Sequence, residues 1–365
     1  CVNSMSQEVT KGAHENPLRG VKTYKIILPI VLGLAVVFYL VWKDYVPGTF
    51  AFVQWTWRSV LWLFIAILLM VGRDVGYIWR IRILSGEQLS FIQAFRVIML
   101  WEFTSAITPS AIGGTSVAIL YVNKEGLSVG HSSAVVMATS FLDELYFLLM
   151  FPLLLLIASP EKLFSIGGEP FTWGNALLWF AIVGYALKAI YVLILSYGFF
   201  VNPRGLKWLL LKLFKLPFLR RWKQGANQAG TEIVESSKEF RHKPFRYWLK
   251  AFLATFLSWC SRYWVANAIM LAFFDVHGHF LIFARQLVMW IMMLVMPTPG
   301  GSGLSELIFT RYLGEFLPVP ASVLAGVAAV LALLWRLATY YPYLIVGVLL
   351  FPRWVKKHFL SKSGS

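Results

Sequence analysis

The chain has 365 residues, of which 58% are hydrophobic and only 14% are charged, and its mean hydropathy is +0.68. Soluble domains are about half apolar and a quarter charged, so this composition excludes an ordinary soluble protein and predicts a helical membrane protein. The formal net charge of +16 is explained by lysine and arginine on the cytoplasmic side, and we expect no nucleic acid partner.

Apolar runs long enough to cross a hydrocarbon core, which takes about 20 helical residues, recur along the chain. They cover residues 24–42, 52–72, 128–158, 175–200, 247–274 and 320–351. Two further segments, 88–121 and 281–316, are apolar but interrupted at their centres by proline and glycine. The predicted fold class is an all-α polytopic membrane protein with about six full spans and two interrupted segments.

The distribution of lysine and arginine indicates how the interrupted segments cross the membrane, because cytoplasmic loops carry an excess of these residues. If both segments turn back and the N-terminus is cytoplasmic, the twelve lysines and arginines of residues 204–250 lie on the cytoplasmic side. A single crossing by residues 88–121 would place them outside. We therefore predict two re-entrant helical hairpins and two cytoplasmic termini.

The interruptions read "ITPSAIGGTS" at 107–116 and "MPTPGGSGLSE" at 296–306. Irregular backbone at membrane depth leaves unpaired polar groups, which cost several kcal/mol each unless protein or a watery cavity satisfies them. Two breaks of similar composition favour a polar interior over an ordinary helix kink. The predicted hairpin tips comprise Thr108, Pro109, Gly113, Gly114, Pro297, Thr298, Pro299, Gly300, Gly301 and Gly303.

An internal repeat relates the two halves of the chain at one constant offset in sequence. Without a gap, this repeat offset places Arg73 on Arg262, Phe91 on Phe280, Arg96 on Arg285 and Trp101 on Trp290. One inserted residue then aligns Thr108-Pro109 with Thr298-Pro299. The predicted sidedness gives the two units opposite orientations, and inverted repeats with broken helices are typical of alternating-access transporters.

The repeat divides the chain into five parts. They are a cytoplasmic tail (1–23), a first membrane half (24–158), a linking span with a basic amphipathic segment (159–246, the segment being 204–246), a second repeat unit (247–352) and a cytoplasmic tail (353–365). The basic segment interleaves leucine, tryptophan and phenylalanine with cations. We expect it to lie on the anionic inner leaflet or to dock a separate lipid synthase.

Ionisable side chains inside the apolar segments should face the protein interior, since a charge at the bilayer centre costs roughly 2.5 kcal/mol or more. Arginines at repeat-related positions favour an anion that accepts a forked donor, such as phosphate. The predicted head-group ligands are Arg96, Arg285, Arg73, Arg262, Glu102 and Glu306. Asp143, Glu144 and Arg336 are predicted to balance charge or to couple transport to an ion.

Other chemistry finds little support in the sequence. The cysteines, Cys1 and Cys260, are too few for a disulfide framework or a cysteine metal site. No catalytic triad order, zinc-protease motif or dinucleotide fingerprint occurs, so we expect no metal, no cofactor and no enzyme activity.

The two interrupted motifs resemble a known family. "TPSAIGGTS" and "PTPGGSGLSE", set in a span–hairpin–span pattern, are similar to the lysylphosphatidylglycerol synthase transmembrane region, a family of flippase-like bacterial and archaeal membrane proteins. The resemblance covers residues 24–352. It implies that the membrane region translocates a lipid made by a soluble C-terminal domain. Because the sequence stops at Ser365, we expect no aminoacyl-transferase domain here.

The resemblance and the repeat together predict a flippase of the bacterial inner membrane that moves a phosphate-bearing lipid between leaflets. One alternative is a carrier for polyprenyl phosphate, which shares the phosphate but not the head group. Another is an enzyme or accessory subunit of lipid modification, with Asp143 and Glu144 as its candidate carboxylate pair. A third is a membrane scaffold for a synthase, in which the basic segment would be essential and the arginines would not.

Overall fold

The computed structural model of the protein describes residues 42, 49–108, 111–165, 176–213, 215, 223–293 and 304–360. Almost all of the predicted first span (24–42) lies outside the described residues. So do Pro109, Pro297, Thr298, Pro299, Gly300, Gly301 and Gly303 of the predicted hairpin tips.

The described residues form helices and no strand, which confirms the predicted all-α class. The helices are α1 (Trp57–Leu84), α2 (Phe91–Ile107), α3 (Ala111–Lys124), α4 (Val129–Ile157), α5 (Pro160–Phe164), α6 (Ala176–Ser196), α7 (Pro203–Leu213), α8 (Lys223–Phe240), α9 (Phe245–Phe273), α10 (His279–Met293), α11 (Leu304–Leu313), α12 (Ala321–Thr339) and α13 (Tyr341–Val355). Short 3-10 turns cover Thr49–Phe52 and Gly314–Phe316, and π-helical turns cover Tyr197–Val201 and Lys356–Leu360.

Local sequence sets where the first two helices begin. The Thr56 hydroxyl accepts a hydrogen bond from the Ser59 amide, and the Ser59 hydroxyl accepts one from the Thr56 amide. Ser90 and Gln93 make the same reciprocal pair at the start of α2. Such capping boxes satisfy amide groups that have no partner within the helix, so both helices begin at defined residues.

Helical stretches of sufficient length and apolarity to cross a membrane occur four times in the described part of the chain. They are Trp57–Leu84, Val129–Ile157, Leu178–Val201 and Ala321–His358. Helix α9 has 29 residues but carries Arg246, Lys250 and Arg262, and it is not among them. The protein is therefore a multi-pass membrane protein, and the predicted number of six spans is not confirmed.

The span of the first repeat unit, an apolar run (52–72) with a charged extension, was predicted over residues 52–84. Helix α1 covers Trp57–Leu84, and the charges after residue 72 find partners inside the protein. The run 320–351 was expected to be one helix, but the chain breaks at Tyr340, where φ is −131° and ψ is −56°. Pro342 lies just beyond the break; it has no amide hydrogen and disfavours helical backbone before it.

Each interrupted segment doubles back as two helices. In the first, the side-chain Nε2 of Gln93 near the start of α2 donates to the Glu125 carbonyl just after α3, at 2.8 Å. The Thr104 and Tyr121 hydroxyls of these helices lie 2.6 Å apart. In the second, Arg285 of α10 donates to the Tyr312 carbonyl near the end of α11, at 2.8 Å. These contacts fit the predicted hairpins, and their re-entry into a bilayer stays a prediction.

Helices α1 and α9, which the repeat aligns, pack antiparallel. Arg58 near the start of α1 donates to the carbonyls of Leu271 and Phe274 at the end of α9, at 3.0 and 3.1 Å. Conversely, Tyr247 near the start of α9 donates to the Leu84 carbonyl at the end of α1, at 3.1 Å. When α1 is shifted by the repeat offset, it begins next to the first residue of α9 and ends on its last residue. The repeat offset therefore matches the bounds of these two helices as well as individual residues.

Close packing of α1 on α9 depends on a glycine. A Cβ atom on Gly76 would lie 2.8 Å from the Ala254 carbonyl oxygen, whereas one on Gly72 would lie 3.4 Å from the Ser261 hydroxyl. We expect Gly76→Ala to lower the free energy of unfolding by roughly 1–3 kcal/mol, because backbone must move apart to admit the methyl group. Gly72→Ala, one turn away, should change it little. Thermal unfolding in detergent compares the two, and equal melting temperatures would contradict the expected crowding.

Candidate functional site

An ionic cluster lies where α1 meets α2. The Arg73 side chain is 1% exposed; its Nη1 atom lies 2.8 Å from an Asp74 oxygen and its Nη2 atom lies 2.6 Å from a Glu102 oxygen. Removing a charged group from water is costly unless it is paired and hydrogen-bonded. Arg73 meets that condition with two carboxylates.

Aromatic rings hold this cluster in place. The Arg73 guanidinium carbon lies 4.4 Å from the centre of the Tyr77 ring and 4.9 Å from that of Tyr343, within the range of cation–π attraction. The Tyr343 hydroxyl, on α13, donates to Asp74 at 2.8 Å. Helices from both ends of the chain thus fix Arg73, which leaves it little freedom to exchange its partners for a ligand.

Arg262, the repeat mate of Arg73, has no ion pair and no hydrogen bond among the described residues. Its guanidinium carbon lies 4.4 Å from the centre of the Trp290 ring and 5.9 Å from that of Trp259. Its Nε atom is buried without a hydrogen-bond partner, although the side chain as a whole is only half-buried. An arginine carries five N–H donors and no acceptor. Arg262 therefore presents unmatched donors and a positive charge in the interior.

The repeat explains why one arginine is neutralised and the other is not. At the offset that places Arg73 on Arg262, Asp74 falls on Tyr263 and Glu102 falls on Ile291. The second unit keeps the cation and lacks both of its carboxylates. Glu102 also attracts Arg262 electrostatically, while Arg73 repels it. The charges of Arg73, Arg262 and Glu102 therefore interact with one another.

Arg96 and Arg285, predicted to grip a phosphate, close the two helical hairpins. Arg96 makes a bidentate pair with Glu125, with nitrogen–oxygen distances of 3.0 and 2.6 Å. Arg285 lies 2.6 Å from a Glu315 oxygen and donates to three carbonyl groups, those of Lys162, Ser165 and Tyr312. With the one inserted residue, Glu125 aligns with Glu315.

These repeat-related pairs were not foreseen, because neither glutamate lies in the motifs. Each joins the first leg of a hairpin to the residues after its second leg. The phosphate-binding role of Arg96 and Arg285 stays a prediction, and their contacts favour a structural one.

Two half-buried carboxylates of α4 also have cationic partners. Asp143 lies 2.5 Å from Arg80 and accepts from the Trp259 indole at 2.7 Å. Glu144 lies 2.5 Å from Lys188, on a different helix. These contacts are what a charge-balancing role requires. The sequence predicts Arg80 at the cytoplasmic end of the span 52–84, whereas its side chain is 2% exposed and faces the interior.

Glu306, predicted as a head-group ligand, lies beside Arg336. The Arg336 Nε atom donates to one Glu306 oxygen at 2.8 Å, and the Ser305 hydroxyl donates to the other at 2.8 Å. Both charged side chains are at most 5% exposed. The structure thus brings Glu306 together with Arg336 rather than with Arg73 or Arg262.

The connection between the two helices of the first hairpin is shorter than expected. Thr108 ends α2, and both its amide and its hydroxyl donate to the Thr104 carbonyl, at 3.1 and 2.7 Å. The second leg was expected to begin after the glycines, but α3 begins at Ala111, so Gly113 and Gly114 lie in its first turn. Amide groups of a first helical turn have no partner within the helix, so such a turn attracts anions.

A surface ion pair contrasts with these interior ones. Arg58 lies 2.7 Å from Asp275, in the turn after α9, and the two side chains are 41% and 81% exposed. The hydrogen bond from Arg58 lowers the pKa of the Asp275 carboxyl. Arg58 is thus a cation of the α1–α9 pair that lies outside the interior cluster.

Comparison with known proteins assigns the chain to a family. The family model of the lysylphosphatidylglycerol synthase TM region matches residues 26–347. A UPF0104 membrane protein of Archaeoglobus fulgidus is 27% identical over 311 residues, which cover 80% of this chain and 88% of that protein. No solved structure matches the chain significantly. The chain belongs to the lysylphosphatidylglycerol synthase TM region family.

Proposed function

We propose that the protein moves a phosphate-bearing lipid between membrane leaflets and that Arg262 binds the phosphate. The observation that carries this proposal is the missing counter-ion of Arg262, a half-buried cation inside the described part of the protein. Arginine binds phosphate through strong, charge-assisted hydrogen bonds, and the bond is stronger where water is excluded. A lipid phosphate would supply the negative charge that Tyr263 and Ile291 do not.

The architecture supports a transporter. Helices α1 and α9 are related by the repeat and run antiparallel, and each unit has a helix pair that doubles back. We propose that these pairs enter the bilayer from opposite sides as re-entrant hairpins. Rocking of one unit against the other would then expose Arg262 to each leaflet in turn, as in other inverted-repeat transporters.

Glu102 has a part in this cycle. It pairs with Arg73 at 2.6 Å and also attracts Arg262. When no lipid is bound, its charge partly compensates Arg262. When a phosphate arrives, the two anions compete for the same cation, which keeps binding weak enough for release on the other side.

The remaining assignments follow from this reading. We propose a non-enzymatic protein of the inner membrane with cytoplasmic termini, whose partners are the transported lipid and the anionic inner leaflet. Basic residues of the 204–250 segment would hold that leaflet through their charge. Transport would be downhill or coupled to an ion.

Leaflet accessibility in proteoliposomes tests the proposal. Head-group-labelled phosphatidylglycerol and phosphatidylcholine are reconstituted with the protein, and the fraction of label open to a membrane-impermeant quencher is followed over time. We expect the rate of leaflet exchange of at least one of these phospholipids to be well above the rate in protein-free liposomes. If folded protein moves neither phospholipid, phospholipid transport is rejected. A labelled polyprenyl phosphate in the same assay then tests the carrier alternative.

A further inference from the structure

A second candidate site lies at one end of α6, away from the Arg262 cluster. A cavity of about 340 Å³ opens between the π-helical turn after α6 and helix α8. It is lined by Phe199, Phe200, Val201, Asn202, Pro203, Arg204, Val234, Ser237, Lys238 and Arg241. Small-molecule sites begin at roughly 300 Å³, so the cavity is large enough for a phosphate ester.

Cations line this cavity without carboxylates. Arg204 is the second residue of α7, Lys238 lies in the last turn of α8, and Arg241 directly follows that helix. The Arg241 amide donates to the Ser237 carbonyl at 3.1 Å, so the helical turn continues and the spacing of three residues places Lys238 and Arg241 on the same face. Their side chains have no hydrogen bond or ion pair among the described residues. Like charges at this spacing repel each other, and an anion between them removes the repulsion.

Small polar residues complete the cationic side. The Asn202 side-chain oxygen accepts from the Gly205 amide at 2.7 Å and so caps the start of α7. Ser237 lies beside Lys238 and is 5% exposed. The first turn of α7 adds the partial positive charge of a helix N-terminus to the charges of the three cations.

The opposite side of the cavity is apolar and continues onto an exposed apolar surface of α6. Phe200 and Val201 are 42% and 66% exposed, and Leu193, two turns earlier on α6, is 66% exposed. The stretch Leu178–Val201 is long and apolar enough to cross a membrane. We expect its end, and therefore the cavity, to lie at the membrane surface. Acyl chains along α6 would bring a head group to the cations.

We propose that this cavity binds an anionic phosphate ester at the membrane surface. The chemistry is shared by the head group of an anionic lipid and by a soluble phosphate ester, and the apolar side favours the lipid. The site uses none of the residues assigned to transport, so it stands or falls separately from the transport proposal.

Lipid retention by the full-length protein in detergent tests the site. Native mass spectrometry measures binding of phosphatidylglycerol and of phosphatidylcholine to the wild type, to Arg204→Gln/Lys238→Gln/Arg241→Gln, and to Lys212→Gln/Lys243→Gln/Arg246→Gln. The control triple removes the same charge from exposed positions of the same basic segment. We expect phosphatidylglycerol affinity to fall at least tenfold in the first triple and less than twofold in the control. Phosphatidylcholine should bind more weakly to the wild type, because its choline is repelled by the cations.

Two further measurements distinguish a lipid ligand from a soluble phosphate ester and test whether the variants fold. Glycerol phosphate displacing the lipid only at far higher concentration identifies a lipid site, whereas displacement at equal concentration identifies a soluble ester. The single variant Arg241→Gln, checked by its melting temperature, should show an intermediate loss. Equal losses in both triples, or no preference for phosphatidylglycerol over phosphatidylcholine, would overturn the proposal.

Discussion

Replacing Arg73 with methionine is expected to lower the free energy of unfolding by roughly 1–3 kcal/mol, because it leaves two partly exposed carboxylates without their cation. Arg73 is 1% exposed and neutralises two carboxylates, which the substitution leaves unpaired. Arg262→Met should leave stability unchanged or raise it, since no carboxylate in the described part of the chain depends on Arg262. Two arginines at equivalent repeat positions should therefore respond in opposite ways.

Thermal and denaturant unfolding in detergent measure this difference. Adding Asp74→Asn and Glu102→Gln to the Arg73→Met background should recover most of the lost stability, because the uncompensated charges are then gone. If Arg262→Met destabilises the protein as much as Arg73→Met does, Arg262 has a structural partner and the assignment of its charge to a ligand fails.

Arg96→Gln is expected to lower the free energy of unfolding by about 3 kcal/mol, because it leaves a buried carboxylate without its cation. Glu125 is 1% exposed and accepts two hydrogen bonds from Arg96. Without Arg96 it keeps the indole N–H of Trp354 at 3.1 Å and His358 at 3.6 Å. Neither replaces a bidentate guanidinium.

The matched variant Glu125→Gln should be milder. It leaves Arg96 as the unpaired charge, and that side chain is 25% exposed and so retains water. Unfolding measured side by side should therefore give a larger loss for Arg96→Gln than for Glu125→Gln. A transport defect in Arg96→Gln without any loss of stability would instead favour direct contact with the lipid, as the sequence suggested.

Much of the architecture could be predicted, because apolar runs indicate the long helices and proline–glycine stretches indicate where they are interrupted. The offset that matches Arg73 with Arg262 also matches the bounds of α1 with those of α9, and each interrupted segment forms two helices. The inverted repeat and the re-entry into the bilayer stay predictions. The burial of charged residues was harder to predict. The sequence places Arg80 at the cytoplasmic end of a span, whereas the fold buries it against Asp143.

The roles of the arginines could not be read from the sequence, because a role depends on which carboxylate lies within reach. Arg96 finds Glu125 only after the chain has turned back through a hairpin, at a separation of 29 residues. One signal was available. Tyr263 and Ile291 stand where the first unit has carboxylates, which marks Arg262 as the unmatched cation.

The most direct test is the leaflet-exchange rate of labelled phosphatidylglycerol in proteoliposomes of Arg262→Gln, with Arg353→Gln as the control. Arg353 is an exposed arginine of α13 whose hydrogen bond goes to the Leu349 carbonyl of its own helix. Loss of charge-assisted hydrogen bonds worth about 1.5–3 kcal/mol should slow exchange by roughly 10- to 100-fold. Arg262→Lys should retain part of the rate, since it keeps the charge but not the fork. We expect Arg353→Gln to match the wild type. Wild-type exchange by stably folded Arg262→Gln would contradict the account, because lipid would then cross without the cation proposed to hold it.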